Sequence, residues 1–337
     1  MTAVHQQVRR TIRRHDLCPP GSRLLVGLSG GSDSVALTLL LQELAERCGF
    51  VVAAVAHLNH RLRAAASGDE AFCREFAARA GLPIVIDAVD VQAYAAAERL
   101  SVEEAARRAR YTFLHRAAAD QGADRIAVGH TRDDQAETFL LKLIRGAGLS
   151  GLGGIYPRRG VIVRPLLDVA RADLRAYLVG RSETWVEDES NEWVGNPRNR
   201  IRHRVLPELD LAYGGAARPS IARTAHLARE DGQWLDELGQ RRLDELGVRA
   251  ADGLEFDARA LGSEPLPIRR RVLWLALKAV AGNREVGLEH VETALEVLAG
   301  ECAGADLPGC RMELRRGKLV LRLSGQGWPR SDGNLGL

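Results

Sequence analysis

The chain has 337 residues, which at roughly 150 residues per domain implies about two domains, each large enough to bury a sizeable core. With 46% hydrophobic and 27% charged residues the composition is that of an ordinary globular protein. The net charge of +3 is too small to mark a general polyanion binder. Only Lys142, Lys278 and Lys318 are lysines. Genomic base composition explains that skew, and its consequence is that phosphate contacts fall mostly to planar, multi-donor guanidinium groups.

No stretch approaches about 18 uninterrupted apolar residues, so no membrane span is expected. The start, MTAVHQQVRRTIRRHDL, has no apolar run of the signal-peptide kind, and a cytoplasmic location is expected. Cys18, Cys48, Cys73, Cys302 and Cys310 are odd in number and scattered, with no C-x-x-C. That argues against a disulfide framework, a thiolate zinc site or an iron–sulfur cluster.

In chain order, strands are expected at 23–28, 51–58, 83–89 and 125–130, each a nearly continuous apolar run. Helices are expected between and after them at 35–48, 69–80, 102–120 and 134–144. This alternation implies βαβ units and a doubly wound parallel sheet covered on both faces. Ligands of such sheets bind beyond the carboxyl ends of the strands. A Gly-rich stretch from 146 to 165 with a short strand at 161–164 follows, then a helix at 171–179 and a polar segment that runs from acidic to basic. A boundary is expected at 212–220. Beyond it, helices are expected at 221–246, 268–280 and 289–298, and a hairpin at 312–323 turning at Arg316-Gly317. The expected fold is therefore α/β over 1–212, then a small mainly helical domain over 213–323 with a terminal β-hairpin. A frayed tail is expected over 324–337.

The first strand runs into Leu28-Ser29-Gly30-Gly31-Ser32-Asp33-Ser34 and then a helix. Paired glycines permit close backbone approach, the serines add hydroxyl donors, and a helix N-terminus favours an anion by about 0.3–1 kcal/mol. The loop is neither a Walker A loop, lacking its lysine, nor G-x-G-x-x-G. Asp33 inside a phosphate cradle makes sense if a divalent cation bridges it to phosphate; a simple helix cap is the structural alternative. The loop resembles the pyrophosphate-binding loop of the N-type ATP pyrophosphatase (PP-loop) superfamily. That resemblance by itself leaves amide-forming synthetases, tRNA thiolases and tRNA lysidine formation open.

After the second expected strand comes His57-Leu58-Asn59-His60-Arg61-Leu62-Arg63, and after the fourth Gly129-His130-Thr131-Arg132-Asp133-Asp134-Gln135-Ala136-Glu137-Thr138. Thr131 and Asp134 form a capping-box-like helix start. Asp133 and Glu137 fall i, i+4 on one face, where like charges imply a cation, a shared proton or plain solvation. The two histidines read as a polar rim around a nucleotide rather than a zinc site. Further on come Arg107, Arg110, Tyr111 and Leu114 as R-x-x-R-Y-x-x-L, Arg145-Gly146, and R-P-L-L at 164–167. Then come Trp185, Asp188, Ser190 and Asn191 as W-x-x-D-x-S-N, and R-N-x-x-R-x-x-V-L-P at 198–207.

This ordered series, over about residues 22 to 210, resembles the bacterial tRNA(Ile)-lysidine synthetase family. The resemblance implies ATP-dependent ligation of free lysine to C2 of the wobble cytidine of the CAU-anticodon isoleucine tRNA. An adenylated base would be the intermediate, with AMP and pyrophosphate released. It implies ATP and Mg²⁺, with Ser29, Gly30, Gly31, Ser32, Asp33, Ser34, His57, Arg110 and His130 around the nucleotide and Asp33 and Asp134 at the metal. Asp33, Asp133, Asp134 and Glu137 are the candidate catalytic carboxylates. Arg198, Arg200, Arg202 and Arg204 are the candidate tRNA contacts, where a solvated basic helix start is the alternative. The C-terminal domain is expected to bind tRNA, longer members carry a further module that this chain does not match, and a homodimer is left open. Trp185 and Trp193 are candidates to stack on a base, against a structural role. Among rival readings, a tRNA thiolase needs cysteine pairs, an amide-forming synthetase leaves H-x-N-H-x-L-R unexplained, and a non-catalytic nucleotide sensor needs no Asp33.

Overall fold

A computed structural model describes residues 2–61, 66–187, 196–250, 253–282 and 284–323. Two compact units divide the chain, Met1–Arg229 and Glu230–Leu337.

In the first unit, apolar runs give β1 (Arg23–Gly27), β2 (Val51–Asn59), β3 (Ile84–Ala88) and β4 (Arg125–Ala127), with the short β5 (Arg158–Arg159) and β6 (Ile162–Val163) after them. They form one sheet in the order β3-β2-β1-β4-β6-β5, parallel throughout except for the β5–β6 edge pair. The chain walks outward from β1 to β3 and then returns to the other side of β1 as β4. The boundary between β1 and β4 is thus the switch point at which open α/β sheets bind ligands.

Helices cover both faces. On one side α1 (Ala3–Arg14), α2 (Ser32–Cys48) and α8 (Arg171–Val179) share a core with Val8, Ile12, Leu37, Leu40, Leu41, Leu44, Leu174 and Leu178. On the other, α5 (Val102–Asp120) supplies Phe113, Leu114 and Ala117 against Leu25 of β1 and Ile126 of β4. Leu37, Leu40, Leu41 and Leu44 are fully buried, so truncating any one of them to alanine costs about 2–5 kcal/mol. The unit also contains α3 (Ala66–Arg79), α4 (Val91–Glu98), α6 (Arg132–Ile144) and α7 (Leu149–Leu152). After them a helical run comprises α9 (Pro197–Arg200), a π-helical segment (Ile201–Val205) and α10 (Leu206–Ala212).

The division between units falls inside one long helix, α11 (Ala217–Leu246). Its first turns belong to the first unit for a visible reason. The Arg218 guanidinium reaches Asp133 of α6, and Arg229 donates to the carbonyl of Ile155 at 3.2 Å. The first unit therefore runs past residue 212.

The second unit holds α12 (Ala258–Ser263), α13 (Leu266–Ala281) and α14 (Leu288–Ala299) beside an antiparallel sheet ordered β7-β8-β11-β10-β9. Its strands are β7 (Gly247–Ala250), β8 (Gly253–Asp257), β9 (Gly304–Leu307), β10 (Cys310–Arg315) and β11 (Lys318–Leu323). The expected hairpin is β10–β11, with Arg315 opposite Lys318 and both Arg316 and Gly317 at positive φ, as a two-residue turn of the I′ kind requires. It sits within a five-stranded sheet rather than alone. Among the described residues no helix is long and apolar enough to cross a membrane.

Candidate active site

Between β1 and α2 the loop folds around its own serines. Ser34 Oγ donates to the Gly31 carbonyl at 2.9 Å and lies 3.1 Å from both the Ser29 amide nitrogen and Ser29 Oγ. Gly30 takes φ +86°, and a Cβ there would come within 3.3 Å of Val186, whose own amide donates to the Gly30 carbonyl. With Gly31 at the N-cap the amides opening α2 lack a side-chain cap, as an anion cradle requires.

Two neighbours fix the loop. His57 is buried at the end of β2; its Nδ1 lies 2.9 Å from the Leu28 carbonyl, which makes Nδ1 the donor, and its Nε2 is buried without a partner. Gly129, just past β4, approaches the loop so closely that a Cβ would stand 3.2 Å from the backbone carbon and oxygen of Asp33. The glycine of the G-H motif is thus a spacing requirement between the two strand ends.

The capping box at α6 forms as read: Asp134 Oδ2 accepts from the Thr131 amide at 2.8 Å and from its hydroxyl at 2.9 Å. The carboxylates that share cations are Asp134 and Glu137, at i, i+3, rather than Asp133 and Glu137. One guanidinium joins three of the four: Arg171 Nε donates to Asp33 at 2.9 Å, Nη2 to Asp134 at 3.0 Å, and Nη1 lies 3.8 Å from Glu137. Glu137 is fully buried and also receives Arg198 Nε at 2.9 Å and Arg202 Nε at 2.6 Å. Asp134 is reached by Arg198 at 3.6 Å and Arg202 at 3.4 Å. Asp133 stands apart from this exchange. It accepts from the Arg171 amide at 2.8 Å, capping α8 from outside, and from Arg218 at 2.7 Å.

The charges respond accordingly. Burial opposes ionisation of Asp134, but Arg171, Arg198 and the Thr131 amide outweigh it and hold its carboxyl far below the usual range. Asp33 goes the other way: burial pushes its carboxyl up, and the pull of Arg171 only partly offsets this. Burial would lower Arg171 and Arg198, yet the surrounding carboxylates raise both. His130 is driven down to about 3, chiefly by burial, so it is neutral and accepts from Arg164 Nε at 3.1 Å.

Of the sequence-derived candidates, Asp33, Asp134, Glu137, Arg198 and Arg202 converge, while Asp133 lies beside them on the Arg171 amide and Arg218. Arg200 and Arg204 do not; both are exposed, on the alternate positions of the same helical run. Trp185 packs partly buried against the core of α1, α2 and α8, with Nε1 donating to Glu187 at 2.8 Å, a structural placement. Trp193, Asp188, Ser190 and Asn191 lie outside the described residues. Sequence reasoning missed Arg171 and Arg218. A signal for Arg171 existed: it is the first residue of α8, and a cation at a helix N-terminus is unfavourable unless something outside the helix needs it.

Residues 2–209 match a family described as PP-loop domain. The tRNA(Ile)-lysidine synthase of Geobacter sulfurreducens is 40% identical over 326 residues, 95% of this chain and 67% of that protein. The enzyme of the same name from Leifsonia xyli is 37% identical over 316 residues, 91% of this chain and 92% of its own length. Among solved structures, the U34-tRNA thiolase NcsA from Methanococcus maripaludis aligns with a TM-score of 0.56 at 17% identity, covering 67% of this chain and 78% of that one, a likeness of fold alone. The chain, built on a PP-loop domain, belongs to the tRNA(Ile)-lysidine synthase family.

Proposed function

We propose that the protein ligates free lysine to C2 of the wobble cytidine of CAU-anticodon tRNA(Ile), with ATP converted to AMP and pyrophosphate. The reading is carried by the match, over nearly the whole chain, to tRNA(Ile)-lysidine synthases. The site has parts suited to each step. Ser29, Gly30, Gly31, Ser32 and Ser34 cradle the β- and γ-phosphates, and His57, Arg110 and His130 line the nucleotide. The cytidine O2 attacks the α-phosphorus, the bond to the β-phosphate oxygen breaks, and pyrophosphate leaves. The ε-amine of lysine then attacks C2 and expels AMP, after losing a proton because only the free amine is nucleophilic.

Asp134, held far below the usual carboxylate range, stays ionised and anchors a cation rather than taking that proton. With Asp33 at the cation too, Glu137 and Asp133 remain to receive it. Asp33 and Asp134, whose oxygens already converge on one guanidinium, would hold Mg²⁺. The ion would supply positive charge opposite the leaving pyrophosphate. Arg200 and Arg204 face outward and serve RNA phosphates. Arg198 and Arg202 sit inward, against the carboxylates, at the point where the anticodon base must arrive. An unstacked loop base reaches such a pocket at small cost. A cytoplasmic setting accords with a tRNA substrate.

A thiolase is the second reading, and the cysteines weigh against it. Cys73, whose Sγ lies 3.3 Å from His57 beside the loop, has its thiol pushed up to about 12 by burial. Cys18 is pushed to about 12 and Cys310 to about 11 for the same reason, far from the thiolate that sulfur transfer needs. The deciding experiment supplies CAU-anticodon tRNA(Ile), ATP and labelled lysine and follows label into tRNA; label entry supports ligation, and sulfur entry from a sulfur donor overturns it.

A further inference from the structure

The arginines near the strand ends fall into two groups. Arg171, Arg198, Arg202 and Arg218 each face carboxylates. Arg107, Arg110 and Arg164 face none among the described residues. These three gather at Tyr111. The guanidinium carbons of Arg107 and Arg110 stand 5.1 and 5.4 Å from its ring centroid, both within cation–π range.

Arg164 is 5% exposed, and its Nε and Nη1 are occupied by two neutral acceptors, His130 Nδ1 at 3.1 Å and the Tyr156 carbonyl at 2.6 Å. Arg110 Nε is buried with no partner at all.

Among the described residues no carboxylate answers these three guanidiniums, and for the buried Arg164 an uncompensated charge is costly. The surroundings register it. Burial lowers Arg164, the Tyr111 hydroxyl offsets this only in part, and Arg107 and Arg159 push it further down. His60, with its Nδ1 also buried and unpartnered, is lowered to about 4 by burial and by Arg110. The cluster is built to receive an anion.

Its shape points to a polymer. Exposure falls along the set, from Arg107 at the surface through half-buried Arg110 to buried Arg164. Arg164 ends on His130, which is itself within electrostatic reach of Asp134 and Arg198 at the carboxylate cluster. The phosphates of ATP already have the serine loop and the start of α2. We propose that Arg107 and Arg164, beside the Arg110 that lines the nucleotide, form a phosphodiester site that guides the RNA strand carrying the target base from the surface to the carboxylates. The proposal rests on the tRNA-modifying reading above. Planar, multi-donor guanidiniums suit it, because they grip phosphate oxygens in pairs.

The test measures binding of a fluorescent CAU anticodon stem-loop from about 50 to about 300 mM salt, where each single-strand phosphate contact contributes about 0.7 to the slope of log K against log salt. Arg107→Gln and Arg164→Gln should each bind RNA more weakly and lower the slope by about 0.7, while a non-hydrolysable ATP analogue binds within twofold of wild type. Arg164→Lys, which keeps the charge at the buried position, should restore most of the slope. Arg107 is exposed, so its variant stands as an independent arm should Arg164→Gln fail to fold. Unchanged slopes for both neutral variants overturn the proposal. So does weakened nucleotide binding with an intact RNA slope, which would give the cluster to ATP. A wild-type protein that binds nucleotide but no stem-loop would overturn the tRNA reading itself, a result separate from either.

Discussion

Replacing Arg171 by glutamine tests the carboxylate cluster most sharply, because one side chain holds Asp33 and Asp134 and reaches toward Glu137. Removing one partner of a buried ion pair costs about 3–5 kcal/mol. Two features reduce that figure. Arg171 is 21% exposed, and Asp134 and Glu137 keep Arg198 and Arg202. Among the described residues Asp33 has no such substitute, its other side-chain hydrogen bond being from the Ser32 hydroxyl at 3.4 Å. The net loss should be about 2–3 kcal/mol, and at about 2–4 °C per kcal/mol for a unit of this size the first unit's melting transition should fall by about 5–10 °C.

The pH dependence fixes the cause. Asp33 has a folded pKa raised by burial, and Arg171 partly offsets that rise; without Arg171 it climbs further. A carboxyl raised on folding binds its proton more tightly in the folded state. Its cost is therefore fully present above the folded value and relieved as pH falls through it. The stability gap between wild type and variant should accordingly narrow as pH drops from about 7 toward the ordinary aspartate value of about 4. Asp134, lowered rather than raised, stays ionised through that window and does not mask the effect. Scanning calorimetry over a pH series reads both quantities. A fall under about 1 °C, or a gap that does not change with pH, would refute the argument.

Adding Mg²⁺ should raise the melting temperature of Arg171→Gln more than that of wild type, since the vacated carboxylates become available to it; equal shifts would place the ion elsewhere. Asp33→Ala should abolish pyrophosphate release while leaving tRNA affinity nearly intact, as judged by filter binding. Gly129→Ala should weaken nucleotide binding and cost about 1–3 kcal/mol, because the added methyl meets the Asp33 backbone, which cannot rotate away. Arg204→Ala, on the exposed side of its helical run, should lower the RNA salt slope by about 0.7 to 0.9 with little effect on stability, whereas Arg202→Ala should mainly destabilise the fold around Glu137.

Much of the first unit was legible because its signals are local. The apolar runs gave β1 to β4, Val102–Asp120 and Arg171–Val179 came out as read, and the Gly-Gly loop and the Thr131 capping box announced themselves. What escaped either depends on distant contacts or is too short to carry a pattern. Helix α1, read only as lacking a signal run, is helical because Val8 and Ile12 bury against α2 and α8. Strands β7 and β9 pair with their immediate sequence neighbours, Ala250 opposite Gly253 and Leu307 opposite Cys310, but at four residues each they are too short to carry a clear alternation. The four arginines of 198–204 looked alike as a charge run. Their i, i+4 spacing splits them, Arg198 and Arg202 inward and Arg200 and Arg204 outward, and only the position of Glu137 reveals which pair is which. Likewise the small net charge hid an arrangement in which carboxylates and guanidiniums are concentrated at one end of the sheet.

The central claim is most directly tested by supplying ATP, labelled lysine and CAU-anticodon tRNA(Ile) and counting AMP formed against lysine incorporated. The account predicts one AMP per lysine attached to the wobble cytidine, with neither formed when lysine or the tRNA is omitted under multiple turnover. Sustained AMP formation without lysine, or without the tRNA, would contradict it.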